Sequence, residues 1–150
     1  MHARAVLAIL TALFIEGCTT APTAPPTQPL GPAAADIPAQ YARFRGVWSG
    51  KWDDVWDVTF VIDDITGDGH ANGHYYWKER VPGAWNHHAV AGTIRGATVV
   101  FGVITITLDP ADGNKAVAVG RFELHTRTAK LARLSASATR QPPLLPSAPT

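Results

Sequence analysis

The sequence predicts an all-β domain, an antiparallel up-and-down meander of seven or eight strands that forms a closed or nearly closed small barrel. Between residues 41 and 138, apolar residues repeatedly alternate with polar ones, which is the period-two pattern of half-buried strands. Short segments rich in Gly, Asp and Pro separate these runs, as they do in β-hairpins. A sheet of this size either closes on itself or leaves edges that pair with neighbouring proteins.

The strands can be assigned in chain order. The first run places Phe44, Trp48 and Trp52 on one face, and alternating runs follow at 56–63, 70–78 and 86–94. The later runs are rich in β-branched residues, which favour strands; they span 97–108, which Gly102 divides if there are eight strands, and 115–124. Residues 128–136 have a helix-compatible composition, but after a train of strands we expect a closing strand there. The predicted turns are TGDG (66–69), VPGA (81–84), RGA (95–97) and DPADGN (109–114).

Proline separates this domain from two tails. Of 12 Pro residues, six lie between Pro22 and Pro38 and four between Pro142 and Pro149. Both segments have too little bulky apolar surface to form a core. We therefore expect a signal peptide at 1–17, a disordered Pro-rich linker at 18–40, the barrel domain at 41–138 and a disordered tail at 139–150. A polyproline-like linker of about twenty residues extends roughly 60 Å.

The N-terminus has the pattern of an export signal. A basic start is followed by an uncharged apolar run of 11 residues from Ala5 to Ile15. This run is shorter than the roughly 20 residues of a membrane-spanning helix, and it has the length of the apolar part of a signal peptide. Ile15-Glu16-Gly17-Cys18 comes next, and it contains the only cysteine of the chain.

These four residues resemble the lipobox of bacterial lipoproteins. The resemblance implies that Cys18 is acylated and becomes the first residue of the mature, membrane-anchored protein. Glu16 departs from the family pattern, in which a small neutral residue is usual, and an ordinary secretory signal cut nearby is the alternative. Thr19, rather than Asp, resembles the outer-membrane sorting pattern. We expect a lipid-anchored protein of the bacterial envelope, on the outer membrane and facing the periplasm.

A second resemblance concerns the domain itself. Gly46-Val47-Trp48 in the first strand, followed by Asp68, Gly69, Gly73 and Tyr75 in a later hairpin, is similar to the lipocalin and avidin-like barrels. In those families the tryptophan plugs one end of the barrel, and a basic residue of the last strand stacks over it. The resemblance implies this stacking role for Arg133, with Arg127 as the alternative. It also implies a barrel that can hold a hydrophobic ligand.

Aromatic residues supply the candidate binding groups. Aromatic side chains can line a ligand pocket, but more often they fill a small core. Core packing is the main interpretation for Trp48, Trp56 and Trp77, whereas Trp52 and Trp85 lie nearer strand ends and are candidates for a barrel mouth or a partner surface. The candidate ligand-binding residues are Trp48, Trp52, Tyr75, Trp77, Trp85 and Arg133.

Histidines are the candidate metal ligands, and they give a weak pattern. If Trp77 faces Trp85 in a hairpin, His74 faces His88 on the same side. Zinc usually needs three or four protein ligands, and only His70 or Asn72 could be added on that face, so we predict no metal site. The segment 63–73 lacks the acidic ligand pattern of a calcium loop.

The remaining patterns concern catalysis and charge. The sequence has no motif that unites a nucleophile, a base and an orienting group, so we predict no enzymatic activity and no cofactor. Net charge is +1, with no basic footprint for nucleic acid. Residues 52–69 carry six Asp and no Lys or Arg, whereas 115–140 carry six basic residues and one acid. If the sheet closes, these two regions meet; simple solvation of exposed faces is the alternative.

Two functions remain open. The first is a structural or interaction module, a filled barrel that presents its surface to an envelope protein, and this is the one we favour. The second is a binding module for a small apolar or amphipathic ligand inside the barrel. In both, the membrane is a partner through the lipid on Cys18.

Overall fold

The structure is a computed structural model that describes residues 24–78 and 84–135. The predicted signal peptide, Cys18, most of the VPGA turn and the predicted C-terminal tail lie outside these residues. Eight strands follow one short helix. Their bounds are α1 (Ala39–Ala42), β1 (Gly46–Trp52), β2 (Trp56–Ile65), β3 (His70–Trp77), β4 (Asn86–Arg95), β5 (Thr98–Phe101), β6 (Ile104–Leu108), β7 (Lys115–Phe122) and β8 (His125–Arg133).

The strands form a closed antiparallel barrel in chain order, which confirms the predicted meander. Closure comes from β8, which pairs with β1 so that Arg133 lies opposite Trp48. The closing strand expected from residues 128–136 is therefore confirmed over most of that range. Gly102, with a φ of +55°, turns the chain between β5 and β6, so the count is eight rather than seven.

Large side chains fill the interior. Trp48, Phe60, Ile62 and Ile106 are each 0 % exposed and belong to one apolar cluster. They come from alternate positions of their strands, because successive side chains of a strand point to opposite faces. The predicted inward set of β1, β2 and β3 is correct for the large residues, all of which lie in or against this cluster.

The two ends of the barrel differ. One end, which we call the α1 end, carries α1 and the connections 66–69, 96–97 and 109–114. The opposite end, which we call the far end, carries the turns 53–55, 102–103 and 123–124 and the partly described connection between β3 and β4. None of the helices in 24–78 and 84–135 is long and apolar enough to cross a membrane.

Part of the expected linker lies against the barrel. Leu30 packs over Val47, Val61 and Tyr76 on the outer surface, and the Arg45 guanidinium donates a hydrogen bond to the carbonyl of Gly31. The extended spacer expected over 18–40 therefore differs from the structure in its described part, residues 24–40. The reason is that β1, β2 and β3 carry outward apolar residues, which the linker and Trp85 cover.

A candidate binding cleft beside strand β4

The barrel wall is incomplete next to the first half of β4. This strand has ten residues, but it pairs with β5 only through Thr93, Ile94 and Arg95. The cause is the length of β5, which has four residues before the chain turns at Gly102. Among the described residues, Asn86–Ala91 have no strand partner on that side, so backbone N–H and C=O groups are open to solvent or to another strand.

Gly92 marks the point at which the wall closes. A Cβ at this position would lie 2.2 Å from the carbonyl oxygen of Val100 and 2.6 Å from the ring of Phe101. Only glycine allows the β5 backbone to approach β4 this closely. Ala91, one residue earlier, is exposed, so the chain changes from a free edge to a packed wall within two residues.

The gap opens into a cleft with a volume of about 320 Å³. Its walls are mainly apolar and come from β3, β4, the turn between β5 and β6, and the end of β7. The lining residues are Tyr75, His88, Ala89, Val90, Ala91, Phe101, Gly102, Val103, Ile104 and Phe122. The volume is at the lower end of the range of small-molecule sites.

Tyr75 forms the floor of the cleft, and other aromatic rings hold it in place. Tyr75 lies between Phe60, at 4.9 Å between ring centroids, and Trp77, at 5.1 Å. The Trp52 indole N–H donates a 2.9 Å hydrogen bond to the Tyr75 hydroxyl, and burial raises the pKa of that hydroxyl above its ordinary value. These contacts hold the rings in place and leave the interior at this level filled by side chains.

Of the predicted ligand-binding residues, three meet at this floor. Trp52 and Tyr75 are 3 % and 6 % exposed, and Trp77 is half-buried and packs against the same cluster. Trp85 lies elsewhere, because it packs on the outer surface of the barrel beside Val47, Val61 and Tyr76. Of the two places expected for Trp85, the structure contradicts the barrel mouth, since odd-numbered positions around the start of β4 face outward. A role in a partner surface stays a prediction.

Trp48 and Arg133 lie at the α1 end, away from the cleft. The Arg133 guanidinium is 4.4 Å from the ring centroid of Trp48, so the stacking expected for this pair is confirmed. Burial lowers the pKa of Arg133 from its ordinary value. Trp48 is fully buried, so these two residues seal an end of the barrel and line no described cleft with Tyr75.

Arg127, the alternative stacking residue, closes the far end. Its guanidinium lies 3.7 Å from the ring centroid of Trp56 and forms an ion pair of 3.2 Å with Asp53. Arg127 therefore covers a tryptophan ring at the far end, as Arg133 does at the α1 end. The Asp53 contact also joins the acidic and basic regions that the sequence predicts to meet on closure.

The register in which His74 would face His88 does not occur. In the observed register, His74 lies opposite Ala89, and His88 lies opposite Tyr75. The register differs by one residue from the predicted one, and a shift of one residue moves a side chain to the other face of the sheet. His88 points inward and lies 5.3 Å from both Tyr75 and Trp77, between ring centroids. In the described part of the chain, no three His, Cys, Asp or Glu residues are grouped to hold a metal ion.

Nine of the ten lining residues are not among the predicted ligand-binding residues; the larger of them are His88, Val90, Phe101, Ile104 and Phe122. The alternation of β4 contains a signal for two of them, because His88, Val90 and Gly92 share the inward face with Ile94. Nothing local in the sequence indicates that β5 stops short of β4. The cleft follows from that difference in strand length.

Comparisons of the chain with protein-family models, with curated proteins and with solved structures find no match. Function is therefore inferred below from the geometry of the barrel and its cleft.

Proposed function

We propose that this chain is a lipid-anchored, non-enzymatic interaction module of the bacterial envelope, and that it binds a partner protein along the free half of β4. The observation that carries the proposal is the unpaired edge at Asn86–Ala91 beside an aromatic cleft. Proteins usually shorten, charge or cover such edges. This edge instead carries His87, Ala89 and Ala91 as its outward side chains, so nothing bulky or permanently charged blocks an incoming strand.

Strand addition is the binding mode that fits this edge. An extended segment of the partner would continue the sheet through backbone hydrogen bonds, and alternate side chains would enter a neighbouring pocket. The cleft lies directly beside the edge and is lined by Val90, Phe101 and Phe122. The partner segment is therefore expected to carry an aliphatic or aromatic residue at the position that faces the cleft.

The filled interior supports an interaction module over a carrier. Trp48, Phe60 and Ile106 are fully buried in the barrel, and Tyr75 is stacked on both sides. A ligand inside the barrel would have to displace these side chains. The barrel then serves as a rigid scaffold for its outer edge, and no catalytic role or cofactor is needed.

The anchor part of the proposal rests on the N-terminal residues. The apolar run Ala5–Ile15 and the lipobox-like segment that ends in Cys18 support export and acylation, with Thr19 favouring the outer membrane on its periplasmic side. An anchored module searches for its partner near one membrane, which raises the local concentration of both.

Site-specific cross-linking tests the strand-addition mode. A photoreactive amino acid is placed at Ala89, and separately at Ala91, in the full-length chain in its native host. Both positions face outward on the free edge. We expect both to cross-link to one protein, at partner positions about two residues apart, because paired strands have a period of two.

The matched control is Val117. It is 43 % exposed, but it lies on β7 between Thr107 of β6 and Lys130 of β8, so both of its edges are paired. Equal cross-linking at Val117, or partner positions scattered without register, would contradict strand addition.

The cleft itself favours a second candidate function, the binding of a small amphipathic molecule. Its volume of about 320 Å³ and its apolar walls fit a short acyl chain or an aromatic group. Native mass spectrometry of the exported Cys18→Ala chain tests this. A reproducible added mass that is lost in a Val90→Trp variant supports a ligand in the cleft, whereas a bare mass after incubation with an envelope extract argues against it.

A further inference from the structure

The turns at the far end carry the most exposed aliphatic side chains of the described residues. Leu124 is 93 % exposed, Val103 is 56 % exposed and Val55 is 44 % exposed. Each lies at the tip of a different hairpin, in the turns β7–β8, β5–β6 and β1–β2. Three apolar tips at one end of a barrel form a surface that water solvates poorly.

The α1 end has the opposite character. Its connections are TGDG (66–69), Gly96-Ala97 and DPADGN (109–114), which contain no large aliphatic residue and carry Asp68, Asp109 and Asp112. The apolar tips therefore reflect no general feature of the turns in this protein. They distinguish one end of the barrel from the other.

The described part of the linker extends from the α1 end toward the far end. Ile37 packs at the α1 end, Leu30 lies higher on the outer wall over Val47, and Pro25 and Pro26 share a cleft with Asp57 and Trp85 near the far end. Followed backward from Ile37 to Ala24, the chain therefore runs along the outer surface of the barrel from the α1 end toward the far end.

A short distance then remains to the acylated cysteine. Five residues lie between Cys18 and Ala24, and the segment from Cys18 to Ala24 spans at most about 20 Å when fully extended. A lipid on Cys18 would therefore hold the membrane within about 20 Å of Ala24, where the described part of the linker begins.

We propose that the far end of the barrel docks onto the membrane that carries this lipid, with Leu124, Val103 and Val55 entering the bilayer interface. The inference rests on the proposed anchor at Cys18. Trp56, with the Arg127 guanidinium stacked over its ring, would lie in the same interfacial region of the bilayer. Amphipathic aromatic and arginine side chains favour membrane–water interfaces. Docking would place the β4 edge and its cleft beside the membrane surface.

We expect docking of this kind to be apolar rather than electrostatic. The described turns 53–55, 102–103 and 123–124 carry the acids Asp53, Asp54 and Glu123 and no Lys or Arg. We therefore expect docking on vesicles of phosphatidylcholine alone to equal docking on vesicles that also contain phosphatidylglycerol.

Spin labels on the full-length, acylated chain test the orientation. The only native thiol, that of Cys18, is consumed by acylation, so Leu124→Cys and Ala111→Cys each add one reactive site. Ala111 lies in the exposed β6–β7 connection at the α1 end. In phosphatidylcholine vesicles, we expect the label at 124 to be on the order of tenfold less accessible than the label at 111 to a water-soluble nickel chelate, since the bilayer excludes polar solutes.

Flotation of the vesicles separates the two proposals. If the chain floats but both labels are equally accessible to the chelate, docking of the far end is overturned and the anchor stands. If the chain does not float, the anchor and the docking are both overturned. In a floating chain, Val55→Ser with Val103→Ser should restore the chelate accessibility of the label at 124, whereas Val100→Ser with Val117→Ser, on the barrel wall, should leave it unchanged.

Discussion

The guanidinium of Arg133 lies 4.4 Å from the ring centroid of Trp48, and its Nη2 donates a hydrogen bond to the carbonyl of Arg43. Trp48 in turn donates a 2.8 Å hydrogen bond from Nε1 to the carbonyl of Phe44. The last strand, the first strand and the segment after α1 are thereby joined by two side chains. This contact closes the α1 end of the barrel.

Arg133→Met is expected to destabilise the barrel. The substitution keeps much of the apolar stem but removes the cation over Trp48 and the donor to Arg43, with a loss of about 2 kcal/mol in the free energy of unfolding. Urea unfolding followed by tryptophan fluorescence measures it. Arg121→Met, at an exposed position of β7, is the control, and an equal loss in both variants would contradict a special role for Arg133.

Tyr75→Phe is expected to destabilise the protein in a pH-dependent manner. At neutral pH the variant leaves the buried Trp52 N–H without its acceptor, which costs about 1–3 kcal/mol.

At alkaline pH, the difference in unfolding free energy between the unmodified protein and the Tyr75→Phe variant should become smaller. Burial raises the pKa of Tyr75 above 10.0, so the native state holds this proton more tightly than the unfolded chain. The contribution of the protonated Tyr75 hydroxyl to the free energy of unfolding is complete below pH 10, and it is lost as pH rises through the folded-state pKa. Unfolding free energies of both proteins measured between pH 7 and pH 11 test this, and a constant difference would contradict it.

Gly92→Ala is expected to weaken the junction of β4 and β5. The new Cβ would lie 2.2 Å from the Val100 carbonyl oxygen, so the strands must separate, at a cost of about 1–3 kcal/mol. Gly67→Ala is the matched control, because nothing lies within 4 Å of its added Cβ. Hydrogen exchange of the amides of residues 93–95 and 98–100 should rise in the first variant only; unchanged exchange would refute the close approach.

Arg127→Gln is expected to have a small, salt-dependent effect. The variant loses the 3.2 Å ion pair with Asp53 and the stack over Trp56. Both groups are partly exposed, so the loss should be at most about 1 kcal/mol, and it should fall further in about 1 M NaCl, which screens the ion pair. A loss larger than that of Arg133→Met would show that the far end contributes more to closure than the α1 end.

Cys18→Ala is expected to release the protein from the membrane. Without the thiol, no lipid can be attached at this position. Fractionation of cells by ultracentrifugation measures the change, with Thr19→Ala as a control that keeps the cysteine. If the Cys18→Ala protein still sediments with membranes, the lipoprotein proposal is wrong.

Much of the barrel could be predicted from local patterns. The alternation of Trp56, Val58, Phe60 and Ile62 reports the inward face of β2, since the side-chain period of a strand is two. Gly102 marked the division of one long run into β5 and β6. The stack of Arg133 on Trp48 could be expected from a family resemblance, and the structure contains it.

The candidate site depended on features that span several strands. Eight residues separate the end of β3 at Trp77 from the start of β4 at Asn86, and the register of the two strands differs by one residue from the expected one. His74 and His88, expected on one face, therefore lie on opposite faces of the sheet. The same one-residue difference in register places Trp85 on the outer surface of the barrel.

The sequence by itself determined most of the strands and the inward faces of β1, β2 and β3, because these depend on side-chain periodicity within one segment. The tertiary structure alone decided that β5, with four residues, lies beside β4, which has ten. It also decided that the described linker runs along the outer surface of the barrel, and that Val55, Val103 and Leu124 lie in turns at the far end. These features arise from distances between segments far apart in the chain, and no local pattern encodes such distances.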